Sequence, residues 1–111
     1  MYLKNIINSD TALTPDAGAL VFDKLNQALS SEQRVELDFS GMEVMTSAFL
    51  NTAIGQLYSK FNSTQLNNQL KLVNLPVEDR ALLRKVIERA KEYFKDQKAF
   101  NGRMNDRYDN E

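Results

Sequence analysis

The sequence contains neither cysteine nor histidine. Without cysteine the chain cannot form disulfides or use a thiolate nucleophile. Without histidine the usual base of a serine hydrolase is missing, and zinc sites built from cysteine and histidine are excluded as well. The four glycines lie far apart, so no glycine-rich phosphate-binding loop is present. We therefore expect a protein that is not an enzyme and that uses neither a metal ion nor a cofactor.

Charge and hydropathy exclude further classes of function. The 111 residues carry a net charge of −1, which gives no electrostatic reason to bind nucleic acid or an anionic membrane. No apolar run approaches the roughly 18–20 residues that a membrane span needs, and the apolar segment at the N-terminus is too short for a signal peptide. We expect a single cytoplasmic domain with no nucleic-acid or membrane partner.

Hydrophobic periodicity predicts an alternation of strands and helices in the order β-α-β-α-β-α. Connections of this length favour parallel strands with right-handed crossovers, so the predicted class is α/β, a small, mostly parallel sheet with helices packed on it. Residues 9–13 and 62–68 are expected to be connectors. The predicted strands are 2–7, 34–39 and 69–75, and the predicted helices are 15–29, 47–61 and one that begins at 78.

The helical periodicity of the last predicted helix disappears after Phe94. The sequence from Lys95 to the end is polar and has no regular spacing of apolar residues. We therefore predict a domain over residues 1–94 and a flexible C-terminal tail over residues 95–111.

The most regular part of the chain is a strand, a short loop and a helix between residues 34 and 61. Val35, Leu37 and Phe39 alternate with polar residues, which predicts a strand with one face covered and the other partly open. Either Thr46 or Ser47 then caps the next helix, since both residue types are favourable caps.

Two groups of side chains in this stretch allow more than one interpretation. Asp38 lies near the carboxyl end of its strand, where ligands and partners of open α/β sheets usually dock. Asp38 and Glu43 could form a metal or general-acid pair, but hydrogen bonding of Asp38 to amides of the following loop is the favoured interpretation. The apolar loop residues could contact a partner, although ordinary packing is favoured for them. These loop residues are Met42, Val44 and Met45.

Residues 35–50 resemble the central signature of STAS domains (sulfate transporter and anti-sigma factor antagonist). In that signature, a strand that ends in Leu-Asp-(Phe/Leu)-Ser-Gly is followed by a short apolar loop and a Ser/Thr-rich helix start. A second segment, 70–76, resembles a later strand of these domains and its exit before a helix. The Thr-Ser-x-Phe pattern at 46–49 is closer to the bacterial STAS-like domains of unknown function.

The resemblance implies a regulatory protein-interaction module. In anti-sigma factor antagonists, a partner kinase phosphorylates a serine at this helix start and so breaks binding. Ser47 falls on that position, whereas Thr46 stands where antagonists usually carry Asp and Phe49 replaces a usual Gly. The implied partner is an ATP-binding kinase-like or anti-sigma-like protein. The phosphoacceptor candidates are Ser47 and Thr46, and the partner-binding candidates are Asp38, Met42, Val44, Met45 and Asn51. The alternative is a module that binds a nucleotide or another anion directly at the same helix start.

Overall fold

A computed structural model describes the backbone of residues 1–106 and the side chains of residues 1–95. This part of the chain contains five α-helices, four short strands and one 3₁₀ turn at Gly55–Ser59. The helices are α1 (Leu3–Ile7), α2 (Pro15–Ser30), α3 (Ser47–Ala53), α4 (Ser63–Gln69) and α5 (Val77–Asp106). The strands are β1 (Thr11–Ala12), β2 (Val35–Asp38), β3 (Val44–Met45) and β4 (Leu70–Val73).

The strands form two parallel pairs. In the first pair, β2 lies beside β4 with Leu37 opposite Leu72, and in the second β1 lies beside β3 with Ala12 opposite Met45. Tyr2 adds a single parallel bridge to Asp38 on the other edge of β2. The predicted α/β class with parallel strands and packed helices is therefore confirmed.

The predicted strand at 2–7 is wrong, because this segment forms helix α1. Its β-prone composition suggested a strand, but Leu3, Ile6 and Ile7 follow the i, i+3, i+4 spacing of one helical face. Leu3 is fully buried, and Ile6 and Ile7 pack against the core at the same side. Packing of this face decided the structure against local propensity.

Both predicted connectors contain regular structure. Residues 9–13 include β1, whose two residues are too few to show a pattern in the sequence. Pairing with β3, which lies in the loop after β2, stabilises this short strand. Residues 62–68 are mostly helix α4, and the Asn62 side chain caps it by accepting a hydrogen bond from the backbone N–H of Gln65 at 2.7 Å. The polar residues that suggested a turn are the cap and first turn of a helix.

Helix α2 agrees with its predicted bounds to within one residue. Thr14 caps it by accepting a hydrogen bond from the backbone N–H of Ala17 at 3.1 Å, and Pro15 occupies the first turn. Along its buried face, Gly18 lies so close to α3 that an added Cβ would stand 2.7 Å from the Phe49 carbonyl oxygen. This glycine allows the two helix backbones to approach each other.

The predicted helix at 47–61 is too long. Helix α3 ends at Ala53, and a 3₁₀ turn follows from Gly55, a residue of low helix propensity. The apolar residues at helical spacing in 47–61 are nevertheless buried. These buried residues are Phe49, Leu50, Ala53, Ile54, Leu57 and Phe61.

Helix α5 buries Leu83 and Val86 against the core and continues to Asp106. Residues 95–106 of the predicted tail are therefore helical in their backbone, and residues 107–111 lie outside the described part of the chain. The domain boundary after Phe94 stays a prediction. No helix within residues 1–106 has both the length and the apolar character that crossing a membrane requires.

Candidate functional site

Thr46 is the cap of helix α3. Its side-chain oxygen accepts a hydrogen bond from the backbone N–H of Phe49 at 3.2 Å, and its hydroxyl donates to the carbonyl oxygen of Leu13 at 2.8 Å. The backbone N–H of Thr46 also donates to the carbonyl oxygen of Ala12 at 3.1 Å. The hydroxyl therefore fixes the start of α3 to the residue that follows β1, and it is occupied on both its donor and acceptor sides.

Ser47 is the first residue of α3, and its side chain is exposed. Within the described part of the chain, its hydroxyl makes no hydrogen bond. The two phosphoacceptor candidates are thus in different environments: the Thr46 hydroxyl is half-buried and engaged, and the Ser47 hydroxyl is free at the surface.

An exposed apolar patch borders this helix start. Ala12 and Met45 are buried and lie opposite each other in the β1–β3 pair. Because side chains alternate along a strand, Val44, which precedes Met45, faces outward. Leu13, which follows Ala12, faces the same outer side as Val44. Leu13 and Val44 are each 48% exposed. We call Leu13 and Val44 the outer apolar patch.

The five partner-binding candidates do not share one environment. Met42 and Met45 are buried in the core, which agrees with the packing interpretation of these loop residues. Val44 belongs to the outer apolar patch, and Asn51 is exposed one helical turn after Ser47, on the same side of α3. Whether any of them binds a partner stays a prediction.

Asn51 also lines a shallow groove of about 270 Å³ between α3 and α5. Gln56 and Arg89 line the same groove, and Arg89 is the charged residue among those that line it. The exposed side of α3 therefore runs from the serine at its first residue to Asn51 at the edge of this groove.

Asp38 joins the ends of β2 and β4. Its Oδ1 atom accepts hydrogen bonds from the Ser40 hydroxyl at 2.6 Å, the Ser40 backbone N–H at 2.9 Å and the Asn74 side-chain amide at 3.0 Å. These hydrogen bonds hold the pKa of Asp38 below its usual range, and the bond from the Ser40 hydroxyl has the largest effect. The interpretation of Asp38 as a residue that organises the following loop is confirmed.

The structure does not assemble a metal-binding set around Asp38. Among the side chains that the structure describes, no three acidic residues lie close enough together to hold a metal ion. Glu43 is exposed, and its backbone N–H donates to the carbonyl oxygen of Asp10 at 2.8 Å. Whether Asp38 and Glu43 act as an acid pair stays a prediction.

Two partners of the site were not predicted from the sequence. The first is the Leu13 carbonyl oxygen, which accepts a hydrogen bond from the Thr46 hydroxyl. The second is the Asn74 side-chain amide, which donates a hydrogen bond to Asp38. Asn74 has a positive φ of 57° at the exit of β4, a conformation that asparagine tolerates better than most residues. An asparagine near the end of the predicted strand 69–75, two residues before Pro76, was the available signal for this turn.

The comparison with known families identifies the class of domain. The family described as STAS-like domain of unknown function (DUF4325) matches residues 17–80, which is more than half of the chain. The chain therefore belongs to this STAS-like family, as the resemblance of residues 35–50 predicted. The match runs from the first turn of α2 through β2, β3, α3, the 3₁₀ turn, α4 and β4 to the start of α5. Comparisons with curated proteins and with solved structures gave no match.

Proposed function

We propose that the protein is a non-catalytic regulatory module that binds a protein partner, and that phosphorylation of Ser47 weakens this binding. The docking surface combines the outer apolar patch with the exposed side of α3. The observation that carries the proposal is the free, exposed hydroxyl of Ser47 beside this patch, next to a Thr46 hydroxyl that is already engaged.

The expected effect of phosphorylation follows from charge and desolvation. A phosphate on Ser47 adds about −1.5 to −2 charges at neutral pH. A partner that covers Leu13 and Val44 would have to remove water from this charge, which is unfavourable unless a cation on the partner compensates it. Because Thr46 provides the cap, α3 keeps its first turn when Ser47 is modified. Phosphorylation can therefore change binding without unfolding the helix.

The partner class comes from the family resemblance and from the chemistry of the patch. An ATP-binding kinase-like protein could both dock on the module and phosphorylate it, and an anti-sigma-like protein is the related possibility. The exposed Leu13 and Val44 side chains favour a partner that contributes apolar side chains of its own.

Direct binding of a nucleotide or another anion at the start of α3 is the alternative function. No observation favours it over protein binding. Helix α3 has only 7 residues, and the Thr46 side chain already accepts the hydrogen bond of one of its first N–H groups.

Capture of a partner by the immobilised protein, followed by quantitative binding with variants, tests the proposal. Ser47→Ala should bind as the wild type does, and Ser47→Asp should bind at least about tenfold more weakly, equivalent to about 1.4 kcal/mol. Thr64→Asp is the matched control, since Thr64 is an exposed residue in the first turn of α4, which also has 7 residues. Equal binding by Ser47→Asp and wild type, or an equal loss with Thr64→Asp, would contradict the proposal.

A further inference from the structure

Within residues 1–106, strand β4 pairs with another strand on one side only. Its single strand partner within residues 1–106 is β2, in a two-stranded parallel pair. The opposite edge of β2 is occupied by the Tyr2 bridge. The outer edge of β4 is therefore an open sheet edge in the described part of the chain, and such edges are templates for pairing with another extended chain.

The ladder with β2 determines which backbone groups face the open edge. The Phe39 N–H donates to the carbonyl oxygen of Val73 at 3.0 Å, so the backbone groups of Val73 point toward β2. Because this direction alternates along a strand, those of Lys71 also point toward β2, and those of Leu72 point outward. The Leu70 N–H is used by α4, where it donates to the Leu66 carbonyl. The groups offered at the edge are thus the Leu70 carbonyl and both backbone groups of Leu72.

The side chains define what kind of strand fits. Lys71 is exposed on the outer face, opposite Glu36 of β2, and a strand on the open edge would place one of its own residues beside Lys71. An acidic residue there is favourable, and a basic one is unfavourable. On the inner face, Leu70 and Leu72 are only partly buried, so apolar neighbours would complete their burial.

We infer that the open edge of β4 is a second docking surface, which pairs with an extended segment of a protein partner in which an acidic residue alternates with apolar ones. A second copy of this chain fits less well. Two antiparallel β4 strands centred on Lys71 would place two lysines directly opposite each other, which destabilises a sheet. Centred on Leu72, they would place Lys71 opposite Val73, so neither lysine would gain the acidic neighbour that a partner segment can supply. This inference does not depend on Ser47, because it involves a different strand and different residues.

Amide exchange and peptide binding, both followed by NMR, test the inference. In the free protein the Leu72 amide should exchange faster than the Lys71 and Val73 amides, because only the latter two are bonded to β2. The probe is an acetylated, amidated six-residue peptide that alternates valine with glutamate, and its matched control carries lysine in place of glutamate. The glutamate peptide should shift the amide signals of β4, slow exchange at Leu72 and bind about two- to fivefold more tightly than the lysine peptide.

A charge reversal makes the test specific. Lys71→Glu should reverse the preference so that the lysine peptide binds more tightly, whereas Lys85→Glu on the exposed side of α5 should leave the preference unchanged. Ser47→Asp should bind the glutamate peptide as the wild type does, which separates this inference from the proposed function. Any one of four results would overturn the inference. Two are slow exchange of the Leu72 amide in the free protein and no shift of the β4 signals at millimolar peptide. The other two are an unchanged peptide preference in Lys71→Glu and dimers that pair through β4.

Discussion

Replacing Gly18 by alanine should destabilise the protein, although alanine is the better helix former. The added Cβ would lie 2.7 Å from the Phe49 carbonyl oxygen, 2.9 Å from Thr52 Cβ and 3.1 Å from the Ala53 nitrogen. Two of these three atoms belong to the backbone of α3 and cannot move aside as the end of a flexible side chain could. The substitution therefore has to push α3 away from α2.

The magnitude follows from two opposing contributions. Alanine in place of glycine inside a helix contributes about 1 kcal/mol of stability. Overpacking a tight contact costs about 1–3 kcal/mol, and at distances below 3.0 Å to backbone the upper half of this range applies. We expect Gly18→Ala to lose about 1–2 kcal/mol of unfolding free energy. Each 1 kcal/mol of this loss should lower Tm by roughly 5 °C.

Urea denaturation and thermal melts, both followed by circular dichroism, measure this effect. Gly55→Ala is the matched control, because its Cβ would lie 3.6 Å from Val86 Cγ1 and 3.7 Å from Ala90 Cβ, which are ordinary contacts. Gly55→Ala should be as stable as the wild type or more stable. A Gly18→Ala protein that is equally stable or more stable would refute the reasoning about the contact between α2 and α3.

Two further predictions concern the cap and the carboxylate of the site. Thr46→Ala should lose about 1–2 kcal/mol of unfolding free energy, because it removes the cap and the hydrogen bond to Leu13. In the same urea series, Ser47→Ala should stay within about 0.5 kcal/mol of the wild type. Equal losses in the two variants would contradict the separate roles of these residues. The lowered pKa of Asp38 contributes stability above the unfolded-state value of about 3.9, and this contribution is lost as pH falls toward the folded-state pKa. Thermal melts from pH 7 to pH 2 should therefore show that Asp38→Asn is less stable than the wild type at pH 7 and that this difference in stability shrinks in acid. A difference that stays constant with pH would count against the hydrogen bonds from Ser40 and Asn74.

The elements with a long, regular pattern were predictable from the sequence. Helix α2 carries Thr14 as a cap, a proline in its first turn and buried apolar residues at helical spacing, and all three signals agree. Strand β2 alternates over its whole length, and its buried residues are those that the alternation indicated. Local sequence and packing require the same structure in both places.

The short elements were not predictable, because distant contacts determine them. The two residues of β1 become a strand only beside β3, and α1 forms because its apolar residues face the core in spite of β-prone composition. The same holds for the site. The bond from Thr46 to Leu13 spans 33 residues, and the bond from Asn74 to Asp38 spans 36 residues. Local periodicity carries no information on such pairs.

The most direct test of the proposed function is the affinity of the captured partner for the protein with phosphoserine at position 47, measured by calorimetry beside the unmodified protein. The proposal predicts at least about a tenfold loss of affinity, with unchanged circular dichroism and unfolding midpoint. Equal affinity of the two forms, with phosphorylation verified by mass spectrometry, would contradict a regulatory role for Ser47.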